Sequence, residues 1–207
     1  MQPKPLYITY SDNIIITSDN MKLELKIVDL LVRNRKCTIN QIATMLDEYY
    51  SFVHRTVHDL SKEQVLIMEK AGKAYLCSLN LTHEKTKALL QLSELEKTSE
   101  FYNRKKDLKL ILDDFVKIKP SSIILFGSYA KGTATKESDI DLLILTTAKK
   151  GVDKITREIY AKYGKEINAI VMTPDQFKKQ KSSSLIQEII KDHYVLFGVE
   201  SFIEAFI

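Results

Sequence analysis

Two short stretches near the middle of the chain decide its fold: LFGSYAKG at residues 125–132 and SDIDLL at residues 138–143. Their spacing is Gly-Ser, ten residues, and then Asp-x-Asp. The apolar run before Gly127 predicts a buried strand that ends there, where a residue without Cβ lets the backbone approach a phosphate group. A helix beginning at this turn would direct free N–H groups and its positive dipole end at the phosphates.

The side chains around this turn are suited to phosphate and metal chemistry. Ser128 offers a hydroxyl donor and Lys131 a positive charge. Strand alternation places the carboxylates of Asp139 and Asp141 on one face, while Ile140 points into the core. Two carboxylates with substrate oxygens suit Mg²⁺ and catalysis of an in-line phosphoryl displacement. Gly-Ser is also an ordinary turn and Asp-x-Asp alone a weak signal, so their joint occurrence favours the functional interpretation.

The residues around these stretches predict an α+β pattern of short strands separated by helices. Further strands are expected at Ile140–Thr146, Ile167–Met172 and Tyr194–Phe197. Helices are expected at Val152–Tyr163 and near Ser184–Lys191.

The segment from about Phe101 to Phe197, with its Gly-Ser-x10-Asp-x-Asp motif, resembles the minimal nucleotidyltransferases of the DNA polymerase beta superfamily. The resemblance implies a mixed-sheet domain, which we assign to residues 100–207. It implies nucleotide phosphates at Gly127 and Ser128, and Mg²⁺ or Mn²⁺ at the catalytic pair Asp139 and Asp141. It also implies transfer of a nucleoside monophosphate from a nucleoside triphosphate, with release of pyrophosphate. The charge of Lys131 makes it a further candidate for phosphate binding.

One position departs from the family pattern, which usually has a third carboxylate on the next strand to help deprotonate the acceptor. Here the expected position is Asn168, whose amide oxygen can bind a metal but cannot act as a general base. Glu166 lies two residues earlier on the same strand face and is an alternative metal ligand, or else a solvated residue. The departure leaves open whether the site turns over.

The first eighty residues predict a different module. Residues 1–20 suggest a β-hairpin extension, and residues 21–80 have the order helix, helix, helix, hairpin that is typical of a winged helix-turn-helix. The apolar face of the first helix contains Leu23, Ile27 and Leu30, and Thr38 with Gln41 forms a capping box for the second. This region resembles the winged-helix domains of small bacterial and archaeal transcription regulators, by pattern and without a discriminating motif.

Polar residues on the third predicted helix and beside the hairpin turn are candidates for DNA contact: Ser51, His54, Arg55, His58, Lys62, Lys70 and Lys73. The alternative is an ordinary solvated face, and winged helices also bind proteins. His54 and His58 have a spacing that zinc sites use, but no third ligand is close in sequence.

Residues 81–99 predict a helical connector. The buried positions expected between residues 82 and 118 are Leu89, Leu92, Leu95, Leu108, Ile111, Leu112 and Phe115. The connector is also a candidate seam for a homodimer.

Composition sets outer limits on function. With 44% hydrophobic and 28% charged residues, the chain has enough apolar material for a packed core. No apolar run reaches the length of a membrane span, no signal peptide is expected, and the two cysteines are expected to be reduced, so we expect a cytoplasmic protein. A net charge of +4 permits an anionic partner without requiring one.

Two functional hypotheses follow. The first is a Mg²⁺-dependent nucleotidyltransferase whose acceptor is a protein or nucleic acid and which the winged helix positions. The second is a DNA-binding regulator, or an antitoxin-like protein with a partner protein, whose degenerate transferase domain binds a nucleotide or that partner.

Overall fold

A computed structural model describes residues 18–207, with side chains from residue 23 onward, and divides the chain into two units. The boundary between them along the chain lies between Ser93 and Glu94. The hairpin predicted within residues 1–20 lies outside the described residues, and the first helix begins at Ser18. No helix of the described part is long and apolar enough to cross a membrane.

The first unit contains three helices and a small antiparallel sheet. Its elements are α1 (Ser18–Asn34), β1 (Lys36–Thr38), α2 (Ile39–Leu46), α3 (Tyr50–Lys62), β2 (Leu66–Ala71) and β3 (Ala74–Leu79). The sheet has the order β1-β3-β2, and β2 and β3 form the expected hairpin. The very short strand β1 was not predicted, because three residues are too few for a periodic signal.

Local sequence signals explain the ends of these helices. The side chain of Thr38 accepts a hydrogen bond from the backbone N–H of Gln41, and the Gln41 side chain accepts one from the backbone of Thr38. Asp47 ends α2 in the left-handed conformation. The inward side chains of α2 and α3 are buried, among them Ile42, Val53 and Val57.

The two cysteines lie opposite each other in this unit. Cys37 of β1 and Cys77 of β3 are register partners, and both thiols are free and buried. Burial raises the pKa of Cys77 to about 11, and the neighbouring Cys37 adds to the shift. Both side chains therefore act as small apolar groups at neutral pH.

Helix α4 (Glu84–Arg104) begins in the first unit and ends in the second. The second unit continues with α5 (Lys106–Leu112), a 3₁₀ helix (Asp113–Ile118), β4 (Ser122–Phe126), α6 (Gly127–Lys131), β5 (Ile140–Leu145), α7 (Lys149–Tyr163), β6 (Ile167–Met172), α8 (Pro174–Gln180), α9 (Ser184–Lys191), β7 (Tyr194–Phe197) and α10 (Val199–Phe206).

The four strands of the second unit form a mixed sheet in the order β6-β5-β4-β7. β4 pairs antiparallel with β5 and β7, whereas β5 and β6 are parallel and joined by α7. A parallel pair needs such a crossover, and its strands then end at the same edge of the sheet. The inner strands β4 and β5 contribute Ile123, Leu125, Ile140, Leu142 and Ile144 to the core, which they share with buried side chains of α5, the 3₁₀ helix and α7.

The α+β class and the mixed sheet predicted from the sequence are confirmed. The strands at Ile167–Met172 and Tyr194–Phe197 have the predicted bounds, and α7 begins three residues before the predicted Val152. Helices α8 and α10 were not predicted.

Candidate active site

The antiparallel pairing of β4 and β5 brings the two halves of the Gly-Ser…Asp-x-Asp motif together. Phe126, the last residue of β4, is the register partner of Asp141, the second residue of β5. Gly127 begins α6 directly after Phe126. The ten residues between Ser128 and Asp139 therefore form helix α6 and a loop that return the chain to the start of the neighbouring strand.

Glycine is required at the turn for two reasons. Its φ is +68°, in the left-handed region that other residues rarely adopt. A Cβ added at Gly127 would lie 2.0 Å from Oδ2 of Asp141 and 2.8 Å from its Cγ. The Asp141 carboxylate thus packs directly against the backbone of the turn.

A third polar side chain joins the two aspartates. Asn168 of β6 is the register partner of Asp141. Its Nδ2 lies 3.3 Å from Oδ2 of Asp139 and 3.4 Å from Oδ1 of Asp141, so one amide group donates toward both carboxylates. Rotation of the amide by 180° would bring its oxygen, a metal ligand, to the same point.

The donor set suits a hard divalent cation. Two carboxylates and one amide oxygen at the start of neighbouring strands are ligands that Mg²⁺ accepts together with phosphate oxygens and water. Within residues 18–207 no group of three or more His, Cys, Asp or Glu side chains is placed to hold a metal ion. Asp139, Asp141 and Asn168 would therefore hold the metal with the help of substrate oxygens.

The other residues predicted for this site have different surroundings. Ser128 is half-buried, and its hydroxyl makes no hydrogen bond within the described part of the chain. Lys131 ends α6, and its Nζ lies 3.0 Å from Oε1 of Glu188 on α9; that hydrogen bond raises the pKa of Lys131. Glu166 is exposed just before β6, and its backbone carbonyl accepts a hydrogen bond from Ile140.

Lys165, which no sequence pattern singled out, supports the loop between the two halves of the motif. Its Nζ donates to the carbonyl oxygen of Lys136 at 2.5 Å and to the hydroxyl of Tyr129 at 3.3 Å. The Tyr129 hydroxyl in turn lies 3.5 Å from the carbonyl oxygen of Ser138, next to Asp139. Lys165 thereby links α6, the loop and β6.

In the first unit, the seven candidate DNA-contacting residues lie on α3 and on and beside the β2–β3 turn: Ser51, His54, Arg55, His58, Lys62, Lys70 and Lys73. His58 is half-buried and the other six are exposed. Arg55 lies over the Phe52 ring, and Lys62 pairs with Asp59 at 3.0 Å. The imidazole rings of His54 and His58 are 4.4 Å apart, and the described residues add no third metal ligand to them.

A cleft of about 540 Å³ opens at the turn between α2 and α3. It is lined by Asn40, Ala43, Thr44, Asp47, Glu48, Tyr49 and Tyr50. The carboxylates of Asp47 and Glu48 would repel DNA phosphates here. None of the seven candidate DNA-contacting residues lines this cleft.

Comparison with known proteins assigns the second unit. A family model described as "Nucleotidyltransferase domain" matches residues 105–197. A "putative protein adenylyltransferase" of Methanocaldococcus jannaschii is 41% identical over 76 residues, which are 36% of this chain and 76% of that protein. A second protein of the same name and organism is 34% identical over 112 residues, covering 47% of this chain and 76% of the relative.

"Protein adenylyltransferase MntA" of Shewanella oneidensis is 32% identical over 105 residues, covering 50% of this chain and 71% of that protein. A solved structure described as "toxin-antitoxin with AMP-PNP" is 21% identical, with a TM-score of 0.35, and covers 45% of this chain and 78% of that one. The structural likeness is too low to add to the assignment. The sequence matches are sufficient by themselves: the chain belongs to the nucleotidyltransferase-domain family.

Proposed function

We propose that this protein transfers AMP from ATP to a hydroxyl group of a protein acceptor. The observation that carries the proposal is the gathering of Asp139 and Asp141 around the Asn168 amide, with Gly127 packed against Asp141. The names of the relatives, which are protein adenylyltransferases, support the choice of nucleotide and of acceptor.

The residues divide the reaction between them. The turn at Gly127 and the free hydroxyl of Ser128 hold the triphosphate, and Lys131 contributes charge once it leaves Glu188. Asp139 and Asp141 bind Mg²⁺ or Mn²⁺, which when bound neutralises charge that develops on the phosphate oxygens. The Asn168 amide donates to both carboxylates in the metal-free protein and, after rotation by 180°, would offer its oxygen to the metal.

The bonding changes are those of a phosphoryl-group displacement. The acceptor hydroxyl oxygen forms a bond to the α-phosphorus, and the bond from that phosphorus to the α,β-bridging oxygen breaks. Pyrophosphate leaves with the electron pair, and the hydroxyl proton passes to solvent water. No carboxylate stands at the position of Asn168, so proton removal is the step in which this chain contributes least.

The test is transfer of label from ATP carrying ³²P at the α-phosphate, with Mg²⁺ or Mn²⁺, to the protein itself and to added proteins. Asp139→Asn and Asp141→Asn should lose transfer by at least a hundredfold, whereas Asp175→Asn, an acidic residue at the start of α8, should not. Label from γ-labelled ATP should not transfer. Transfer that both active-site variants retain would refute the proposal.

The runner-up is a nucleotide-binding regulator or antitoxin-like protein without turnover. The observation that favours it is Asn168, which cannot accept the hydroxyl proton. This alternative requires ATP binding that depends on Asp139 and Asp141, and no labelled product with any acceptor.

We further propose that the first unit is a winged helix that positions the enzyme, with DNA as a candidate ligand. Among residues 18–207 the side chains of Arg55, Lys70 and Lys73 have no ion-pair partner, and all three are exposed. If this face binds DNA, replacing all three with Gln should weaken binding at least tenfold and reduce its salt dependence. Binding that is unaffected by salt would point to a protein partner.

A further inference from the structure

Strand β6 is an outer strand of the mixed sheet and carries a residue of the candidate active site. In the part of the chain that the structure describes, β6 pairs with β5 alone. The four residues from Asn168 to Val171 all keep some exposure, whereas the matching residues of β5 after Asp141 are buried. An outer strand of this kind offers unpaired backbone groups to another extended chain.

The hydrogen bonds to β5 identify which groups are free. Ile140 donates to the carbonyl of Glu166, and Thr146 donates to the carbonyl of Met172, each at 2.9 Å. Because successive residues of a strand direct their N–H and C=O groups to opposite sides, the even-numbered residues face β5. The odd-numbered residues Ile167, Ala169 and Val171 face away, and no described residue bonds to their backbone groups.

The order of strands also places the Gly127 turn and the open edge of β6 on opposite sides of Asp141. The Gly127 turn follows β4, Asp141 is on β5, and Asn168 is on β6, beside the open edge. In an in-line displacement the attacking and leaving oxygens lie on opposite sides of the phosphorus. If pyrophosphate leaves on the Gly127 side, the acceptor hydroxyl must approach from the β6 side.

We propose that the open edge of β6 binds an extended segment of the acceptor protein as an added strand and so delivers its hydroxyl to the α-phosphate. This inference rests on the proposed function. Three outward N–H and three outward C=O groups, repeating about every 6.6 Å, match the donors and acceptors of an extended peptide. A nucleic-acid backbone has no N–H donors for the three carbonyls, and β6 itself contains no lysine or arginine for phosphates.

The direct test uses amide hydrogen exchange of the full chain, labelled with ¹⁵N and saturated with Mg²⁺ and a non-hydrolysable ATP analogue. The probes are three synthetic β-prone heptapeptides that differ only in a central Ser, Thr or Tyr. At least one should slow exchange at Ile167, Ala169 and Val171 by tenfold or more. Its analogue with N-methyl groups at alternate positions, which cannot pair as a strand, should have no effect.

Substitutions at Ala169 test whether the open edge of β6 is needed for transfer of label to a peptide. Ala169→Pro removes one outward N–H and leaves the pairing with β5 intact, whereas Ala169→Ser keeps the N–H. Ala169→Pro should bind the ATP analogue like the wild type and lose peptide labelling by at least tenfold. Ala169→Ser should label normally, and melting temperatures report whether both variants fold.

The results that would overturn peptide binding at β6 differ from the result that would refute the proposed function. Outward amides that are already protected in the protein alone mean that another part of the chain covers the edge, and this overturns the inference. Equal labelling of the peptide and its N-methylated analogue also overturns it. Protection of the edge without label on any peptide or protein refutes the proposed function and leaves β6 as a peptide-binding edge.

Discussion

The Asp141 carboxylate packs so closely against Gly127 that a Cβ on the glycine would lie 2.0 Å from Oδ2. The turn that we propose for phosphate binding and the aspartate that we propose for metal binding are therefore in direct contact. A side chain at position 127 would displace the Asp141 carboxylate, so we expect the glycine to matter for metal binding as well as for the shape of the turn.

Gly127→Ala should lower the free energy of unfolding by about 2 kcal/mol more than Gly132→Ala. Both substitutions strain the backbone, but only the Cβ at position 127 also collides with a neighbouring side chain. Gly127→Ala should also weaken binding of Mg²⁺ and ATP by at least tenfold. Gly132→Ala is the matched control: its φ is +74°, and no atom lies within 4 Å of an added Cβ. Urea unfolding and calorimetric titration measure both effects, and equal losses in the two variants would contradict the packing argument.

Asn168→Asp adds a carboxylate to the site, whereas Gly127→Ala disturbs one that is already there. It replaces a donor to Asp139 and Asp141 with a third carboxylate, and like charges at one point repel. The variant should therefore melt at a lower temperature than the wild type in EDTA and recover with Mg²⁺. We expect Mg²⁺ binding about tenfold tighter, equivalent to ~1.4 kcal/mol, and faster label transfer.

Asn168→Ala serves as the control, because it removes the amide without adding charge. It should weaken Mg²⁺ binding. Aspartate and alanine variants with the same metal affinity would mean that Asn168 does not face the metal.

Lys165 should act as a positioning residue. Lys165→Met removes the hydrogen bonds to the Lys136 carbonyl and the Tyr129 hydroxyl, which together hold the loop before Asp139. The loss should reduce the rate of label transfer about tenfold and the free energy of unfolding by about 1 kcal/mol. Lys165→Arg retains a donor and should restore at least part of the rate. Lys154→Met, on the exposed side of α7, should change neither quantity, and a Lys165→Arg variant as slow as Lys165→Met would count against this role.

The sheet that carries the site was predictable because its strands are short apolar runs bounded by polar residues, glycine or proline. The juxtaposition of Asp141 and Asn168 depends on parallel pairing, which the helix between their strands favours. Lys165 was not predictable, since its partner is a backbone carbonyl 29 residues earlier in the chain. Helix α8 had a usable signal, the capping box of Thr173 and Gln176, which sequence analysis overlooked.

Helix α4 was predicted, but the prediction of which of its residues are buried was wrong in part. Leu92 and Leu95 are 45% and 54% exposed, while the polar Ser93, Glu94 and Thr98 are buried. Thr98 donates to the carbonyl of Val195, and Ser93 to that of Leu25. A hydrophobic periodicity cannot identify a face whose buried residues are polar and satisfied by distant backbone groups.

Glu94 is the most consequential of these residues. Its Oε1 lies 2.8 Å from Nζ of Lys97 and 3.3 Å from Nε2 of His193, and both Glu94 and His193 are buried. Burial alone raises the pKa of Glu94, but the charges of His193 and Lys97 outweigh it and hold the pKa at about 2. The second unit therefore contains a buried carboxylate that is stabilised by its contacts with Lys97 and His193.

Glu94→Gln should lower the free energy of unfolding by about 3–5 kcal/mol at neutral pH, because it removes the buried carboxylate that both Lys97 and His193 contact. The folded-state pKa lies below the ordinary 4.5, so the Glu94 contribution is present above that pH and is lost as the pH falls toward 2. Urea unfolding followed by circular dichroism across this range measures it. Glu100→Gln, exposed on the same helix, should follow the wild type. If wild type and Glu94→Gln lose stability in parallel on acidification, Glu94 is not the titrating group.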